Sequence, residues 1–218
     1  YVVVIHDHRG HGKSVKYQDD LGFTYGGGAQ AMLQDIRTVN RKIHAYYPEL
    51  PLILMGHSMG SLAVRAFVAE HDSCVDMLIV CGSPSYNTAM PLGVAIAKTE
   101  KAVFGPRHRS KLIETMSFGA GAMKFRKDKR CTAWICSDPD VAKEYEESEM
   151  CGFTFTDDAY LALFELMKRA YDVEHFSCTN PDMPVLFVSG AEDPCLINVR
   201  HFAKTVRAMR RAGYKDVK

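Results

Sequence analysis

Short apolar runs alternate with longer segments whose apolar residues recur at helical spacing. Tyr1 to His6 is continuously apolar, which suits a parallel strand buried on both faces. After Gly26-Gly27-Gly28, a stripe of Met32, Ile36, Val39, Ile43 and Tyr46 predicts an amphipathic helix that Pro48 brings to an end. Leu52 to Met55 reads as a strand, Leu62 to Glu70 as a helix rich in small residues, and Val75 to Cys81 as the next buried strand. Strand, helix, strand, helix, strand implies a parallel sheet with right-handed crossovers.

The alternation stops for roughly a hundred residues, from Ser85 to Asn180, where helical patterns replace strands. Helices are expected over 91–103, 109–117, 140–149 and 157–171. Glu144, Glu146, Glu147 and Glu149 read as a solvated face, and the methionines and aromatics (among them Met116, Phe118, Phe153, Phe155 and Tyr160) as this segment's own core. The sharper alternative for those residues is an apolar wall of a binding site. Pro184 to Ser189 restores the sheet. A helix follows with Val199, Phe202, Ala203, Val206 and Met209 on its inner face and Gly213 as its stop, and Gly213 to Val217 leads toward a further strand.

Composition narrows the partners. A net charge of +1 gives no reason to expect nucleic acid. No apolar run reaches the ~20 residues needed to cross a bilayer. The basic face Arg200, Lys204, Arg207, Arg210 and Arg211 reads as solvated, with weak attraction to an anionic membrane surface as its second reading. The cysteines, Cys74, Cys81, Cys131, Cys136, Cys151, Cys178 and Cys195, are odd in number and contain no Cys-x-x-Cys pair. They read as free thiols of a reducing compartment such as the cytoplasm, not as zinc ligands.

The chemistry centres on Gly56-His57-Ser58-Met59-Gly60, set between a strand and a helix. That context is a nucleophile elbow: a tight turn that projects a serine hydroxyl past the end of a sheet. The Met59 N–H, at the helix start, is positioned to donate to an oxyanion. Acyl transfer by serine also needs a base and an acid that orients it. Asp193 suits the acid, since it follows a buried strand in a tight turn that Pro194 fixes; Glu192 is its neighbour and runner-up.

Other motifs carry less. Gly12-Lys13-Ser14 invites a phosphate-loop reading, but the glycine required earlier is replaced by Asp7. Asp7, His8 and Arg9 read as fixing a tight turn, and His6, His8 and His11, in a basic loop with one carboxylate, do not read as a metal site. No metal or cofactor is expected.

The runs Asp-His-Arg-Gly-His-Gly-Lys-Ser (7–14), Gly-His-Ser-Met-Gly-Ser (56–61) and Val-Ser-Gly-Ala-Glu-Asp-Pro (188–194) resemble α/β-hydrolases of the serine aminopeptidase S33 type, and within them the monoacylglycerol lipase and lysophospholipase-like branch. The resemblance implies a doubly wound, mostly parallel sheet with a helical cap inserted between two core strands. The expected organisation is a core in two parts, 1–84 and 183–218, and a cap over 85–182.

It also implies Ser58 as nucleophile, Asp193 as acid and the Met59 amide in the oxyanion hole. The catalytic histidine belongs about 30 to 35 residues after the acid in this order of serine, acid and histidine. Lys218 lies 25 residues after Asp193, so that histidine is expected outside this sequence. His57 is expected to face away from the nucleophile, His175 precedes the acid, and His201 lies within a helix. A His-Gly oxyanion loop is likewise expected before Tyr1. The implied reaction is hydrolysis of a monoacylglycerol or lysophospholipid ester. The alternatives are a proline-iminopeptidase-like peptidase and a hydrolase fold kept for binding without turnover. The oligomeric state is open.

Overall fold

Three of the apolar runs become adjacent parallel strands: β1 (Ile53–His57), β2 (Met77–Cys81) and β3 (Val185–Val188), in the order β1-β2-β3. The structure is a computed structural model, and it describes residues 1–125, 127 and 132–218. The register aligns Leu54 with Leu78 and Leu78 with Val185, so one row of aliphatic side chains crosses the sheet. The expected pairing after Gly213 is present: Val217 bridges Val185 in parallel, and the Val185 and Phe187 amides donate to Asp216 and Lys218 carbonyls at 2.8 and 2.7 Å.

The helices are α1 (Gly28–Tyr46), α2 (Met59–His71), α3 (Met90–Phe104), α4 (Lys111–Lys124), α5 (Pro139–Glu147), α6 (Asp157–Tyr171) and α7 (Val199–Arg211). Each expected helix is found, with most ends shifted by a few residues and α4 running seven residues beyond its expected end. None of the described helices is long and apolar enough to cross a membrane.

Two expectations need correction. Tyr1 to Ile5 is exposed and forms no strand, because a strand exists only through hydrogen bonds to a neighbour and these residues pair with none among those described. The buried stripe of α7 runs through Thr205, Ala208 and Met209, while Val199 is exposed and Phe202, Ala203 and Val206 are half-buried. Phe202 instead sets its ring edge-on to Phe187 of β3, 6.2 Å between centroids.

The chain divides into two compact units. The first comprises residues 1–5, 29–87 and 163–218, and holds the sheet with α2 and α7 and most of α1. Leu62 to Ala69 of α2 are all buried, which suits a helix apolar on every side. The exception in character is Arg65, fully buried and without a carboxylate partner among the described residues. Its guanidinium donates to the Ala170 carbonyl at 2.7 Å and lies 4.3 Å from the Tyr171 ring centroid. Asp72, also buried, accepts from the Thr179 hydroxyl and from the Thr179 and Asn180 amides at 2.9 and 3.0 Å.

The second unit comprises residues 6–28 and 88–162. Polar anchors fix its long loops. Arg107 pairs with buried Asp20, and Arg109 donates to the Thr154 carbonyl and, at 2.7 Å, to that of Leu21. Asp158 accepts from Thr24 Oγ1 at 2.5 Å, the Gly26 amide at 2.9 Å and Lys101 Nζ at 2.7 Å. The Asp7 to Ser14 run forms the expected tight turn: the Lys13 amide donates to Asp7 at 2.9 Å and the Ser14 amide to the His11 carbonyl at 2.9 Å. Burial lowers the pKa of His11 more than its bond to the Arg9 carbonyl and the Asp7 charge raise it. The described cysteines are free; Cys131 lies outside the described residues.

Candidate active site

The carboxyl ends of the three parallel strands bring the site residues of the first unit to one edge of the sheet. Ser58 follows β1 directly and has φ +52° and ψ −120°, a left-handed region that costs a non-glycine residue about 1–3 kcal/mol. The surroundings hold it there. Its amide donates to the Cys81 carbonyl at the end of β2 (3.0 Å), and its own carbonyl accepts from the Ser61 amide and hydroxyl at 2.9 and 2.5 Å. Gly56 is obligatory for the turn: a β-carbon there would stand 2.2 Å from the Gly60 carbonyl oxygen. Met59 is the first residue of α2, so its N–H has no intrahelical acceptor and points outward from the positive end of the helix dipole.

Asp193 lies in the turn after β3. Its Oδ1 accepts from the Cys195 amide at 2.8 Å and its Oδ2 from the Ser189 hydroxyl at 2.8 Å. These bonds fix the carboxylate and leave each oxygen a further lone pair for an imidazole N–H. Burial, with the Asp193 charge and hydrogen bond added, pushes the neighbouring Cys195 thiol up to about 12. Glu192, beside it, is exposed.

Gly82, the residue after β2, connects the strand ends. Its amide donates to the Val188 carbonyl at 2.8 Å and its φ is +52°. A β-carbon on Gly82 would stand 3.0 Å from His57 Nε2 and 3.2 Å from Asp193 Oδ2. The histidine beside the serine and the acid after β3 therefore approach one point, a proximity that inspection of single motifs misses. Two signals together carry it: the register pairs His57 with Cys81, and the next residue has no side chain to occupy the space. His201 and His175 are engaged elsewhere, with Asn198 at 3.0 Å and Asp172 at 2.8 Å.

Comparison with solved structures shows the same fold. A thermostable carboxyl esterase from Bacillus coagulans in complex with glycerol superposes with a TM-score of 0.86 at 22% identity, over 97% of this chain and 69% of the other. A soluble variant of monoglyceride lipase from Saccharomyces cerevisiae gives 0.62 at 18% identity, over 93% of this chain and 62% of that one. The monoacylglycerol lipase of Paleococcus ferrophilus gives 0.60 at 18%, over 91% and 65%. A sequence comparison with curated proteins finds no match. The family model described as serine aminopeptidase, S33, matches residues 1–218. With an elbow serine at the end of a parallel strand and a family match along its whole length, the chain belongs to the serine aminopeptidase S33 family of α/β-hydrolases and is a hydrolase.

Proposed function

We propose that the protein hydrolyses carboxylic esters through an acyl-enzyme on Ser58, with a monoacylglycerol or lysophospholipid as substrate. The observation that carries this reading is the strained Ser58 backbone, held at the mouth of β1 by the Cys81 carbonyl and the Gly56–Gly60 approach. Ser58 Oγ attacks the ester carbonyl, and the Met59 amide donates to the oxyanion that forms. A histidine oriented by Asp193 takes the serine proton and returns it to the leaving alcohol. Water then repeats the sequence on the acyl-enzyme and releases the acid.

The ester preference draws support from the esterase and monoglyceride lipases that share the fold. A helical cap over 85–182 is part of this proposal, and exposed Phe104, Leu112 and Met123 within that segment supply apolar surface suited to an acyl chain. The exposed basic residues Arg200, Lys204, Arg207 and Arg211 of α7 supply weak contact with an anionic membrane, which salt-sensitive co-sedimentation with anionic vesicles tests.

The deciding assay, run on protein that also carries the histidine base, compares a p-nitrophenyl ester, a monoacylglycerol, a lysophospholipid and Pro-p-nitroanilide, each with wild type and Ser58→Ala. Ester turnover that falls about 10⁶-fold in the variant is expected. Preference for the proline amide overturns the substrate class. Turnover of an ester undiminished in Ser58→Ala overturns the nucleophile, and turnover of none points to a fold kept for binding.

A further inference from the structure

The second unit contains a side-chain cluster that acyl transfer does not use. Glu100 lies in the last turns of α3, His108 in the loop that follows, and Asp157 opens α6. One carboxylate oxygen from each acid and a ring nitrogen of His108 all lie within 4.8 Å of one another. Asp157 is fully buried. Its Oδ2 meets His108 Nδ1 at 2.9 Å, whereas its Oδ1 has no hydrogen-bond partner among the described residues. Glu100 Oε2 is buried and equally unpartnered. Lys101, the nearby cation in the sequence, has its ammonium on Asp158 Oδ1 at 2.7 Å.

Buried carboxylate oxygens without partners are costly, because burial strips away water and supplies nothing in return. Two of them beside an imidazole form a convergent set of acceptors lacking a positive centre. The donor chemistry, one nitrogen and two carboxylates, is that of Zn²⁺ and its neighbours in the first transition row. Ca²⁺ and Mg²⁺ favour all-oxygen sets of six or more ligands.

We propose that Glu100, His108 and Asp157 bind a divalent transition metal, Zn²⁺ in the first instance, with water completing the coordination. Tetrahedral coordination at about 2.0–2.1 Å sets ligand separations of ~3.3 Å, inside the 4.8 Å span of the cluster. The ion joins the end of α3, the 105–110 loop and the start of α6, and so holds the second unit together. This metal site is independent of whether Ser58 hydrolyses esters.

The full chain, stripped with a chelator and returned to chelator-free buffer, is loaded with Zn²⁺, gel-filtered and analysed for metal, then titrated with Co²⁺ for its visible spectrum. The expected result is one retained Zn²⁺ per chain, a higher thermal midpoint on loading, and cobalt bands without near-ultraviolet thiolate charge transfer. Asp157→Asn should weaken binding by at least ~10-fold. Because Asp157 is buried at a helix start, the half-buried Glu100→Gln serves as the second variant and should do the same. A wild-type chain that retains no Zn²⁺ overturns the site, as expected if the two carboxyls share a proton instead. Cobalt bands with thiolate charge transfer, or binding undiminished in Glu100→Gln, place the metal on cysteines or elsewhere and overturn it too.

Discussion

Asp193 Oδ2 lies 3.2 Å from the point where a β-carbon on Gly82 would stand. The acid proposed to orient the catalytic base therefore depends on the absence of a side chain on a different strand end. His57 Nε2 comes to the same point, at 3.0 Å. Gly82→Ala forces both groups to move and places a β-carbon at φ +52°. The backbone cost is about 1–2 kcal/mol. Displacing the acid by a few tenths of an ångström should lower ester kcat/KM several-fold, short of the ~100-fold that a 1 Å misplacement costs. Kinetics with a p-nitrophenyl ester, alongside a thermal melt, separate the effects; wild-type kcat/KM in a folded Gly82→Ala protein would show that neither group needs its present position.

Asp193→Asn keeps the side chain's shape and removes its charge. If Asp193 orients the base, kcat should fall about 10⁴-fold with little change in thermal midpoint. A second readout does not depend on activity. Cys195 is held near 12 by burial and by Asp193, so at pH 8 it should react slowly with iodoacetamide. Neutralising Asp193 removes one of those causes, and alkylation of Cys195, followed by peptide mass spectrometry, should quicken. The raised thiol pKa also has a stability sign. Below about pH 9 the contribution is fully present, and it is lost as pH rises from there toward 12, because the unfolded chain releases its proton first.

Much of this arrangement is legible in the amino-acid sequence. The Gly-x-Ser-x-Gly elbow and its flanking strand and helix are local, since Gly56 is demanded by a contact only four residues away, with Gly60. Helix positions were equally legible because 3.6-residue periodicity is a property of one segment. Tyr1 to Ile5 failed for the opposite reason: apolar, β-branched sequence makes a strand possible, but only a partner makes it one. The α7 stripe slipped because Thr205 counts as polar in a pattern, yet its hydroxyl is satisfied by the Tyr171 hydroxyl at 2.8 Å. The approach of His57 and Asp193 at Gly82 spans three strand ends and needs the register.

Arg65 presents a stability test away from the chemistry. Burial pushes its pKa down from the usual guanidinium value, and Tyr171, not a carboxylate, offsets that desolvation among the described residues. Its partners are the Ala170 carbonyl, the Tyr171 ring and, at 3.4 Å, the Ser83 hydroxyl. Arg65→Ala should reduce unfolding free energy by about 3 kcal/mol through the cavity and the stranded carbonyl. Arg65→Met fills most of the volume and should recover part of the loss. Urea unfolding of the three proteins checks the ranking. Equal stability of Ala and Met variants would mean that the polar contacts, not the packing of the stem, account for the whole effect.

Tyr214 offers a pH test with its sign fixed in advance. Its hydroxyl is buried and lies 3.2 Å from Asp72 Oδ2 and 3.3 Å from the Val68 carbonyl. Burial first, and the Asp72 charge second, raise its pKa above the ordinary tyrosine value. A group raised in this way adds stability that is complete below the unfolded pKa of about 10 and is lost as pH climbs beyond it. Tyr214→Phe should therefore be less stable than wild type at pH 7, by about 1 kcal/mol for the lost hydrogen bond. The gap should narrow at pH 10.5, where the unfolded wild-type chain gains by ionising and the phenylalanine chain cannot. Cysteines and the other tyrosines titrate in both proteins and cancel in the difference. Urea unfolding at the two pH values measures it, and a gap that stays constant or widens would mean that burial and Asp72 together do not hold this hydroxyl in its protonated form.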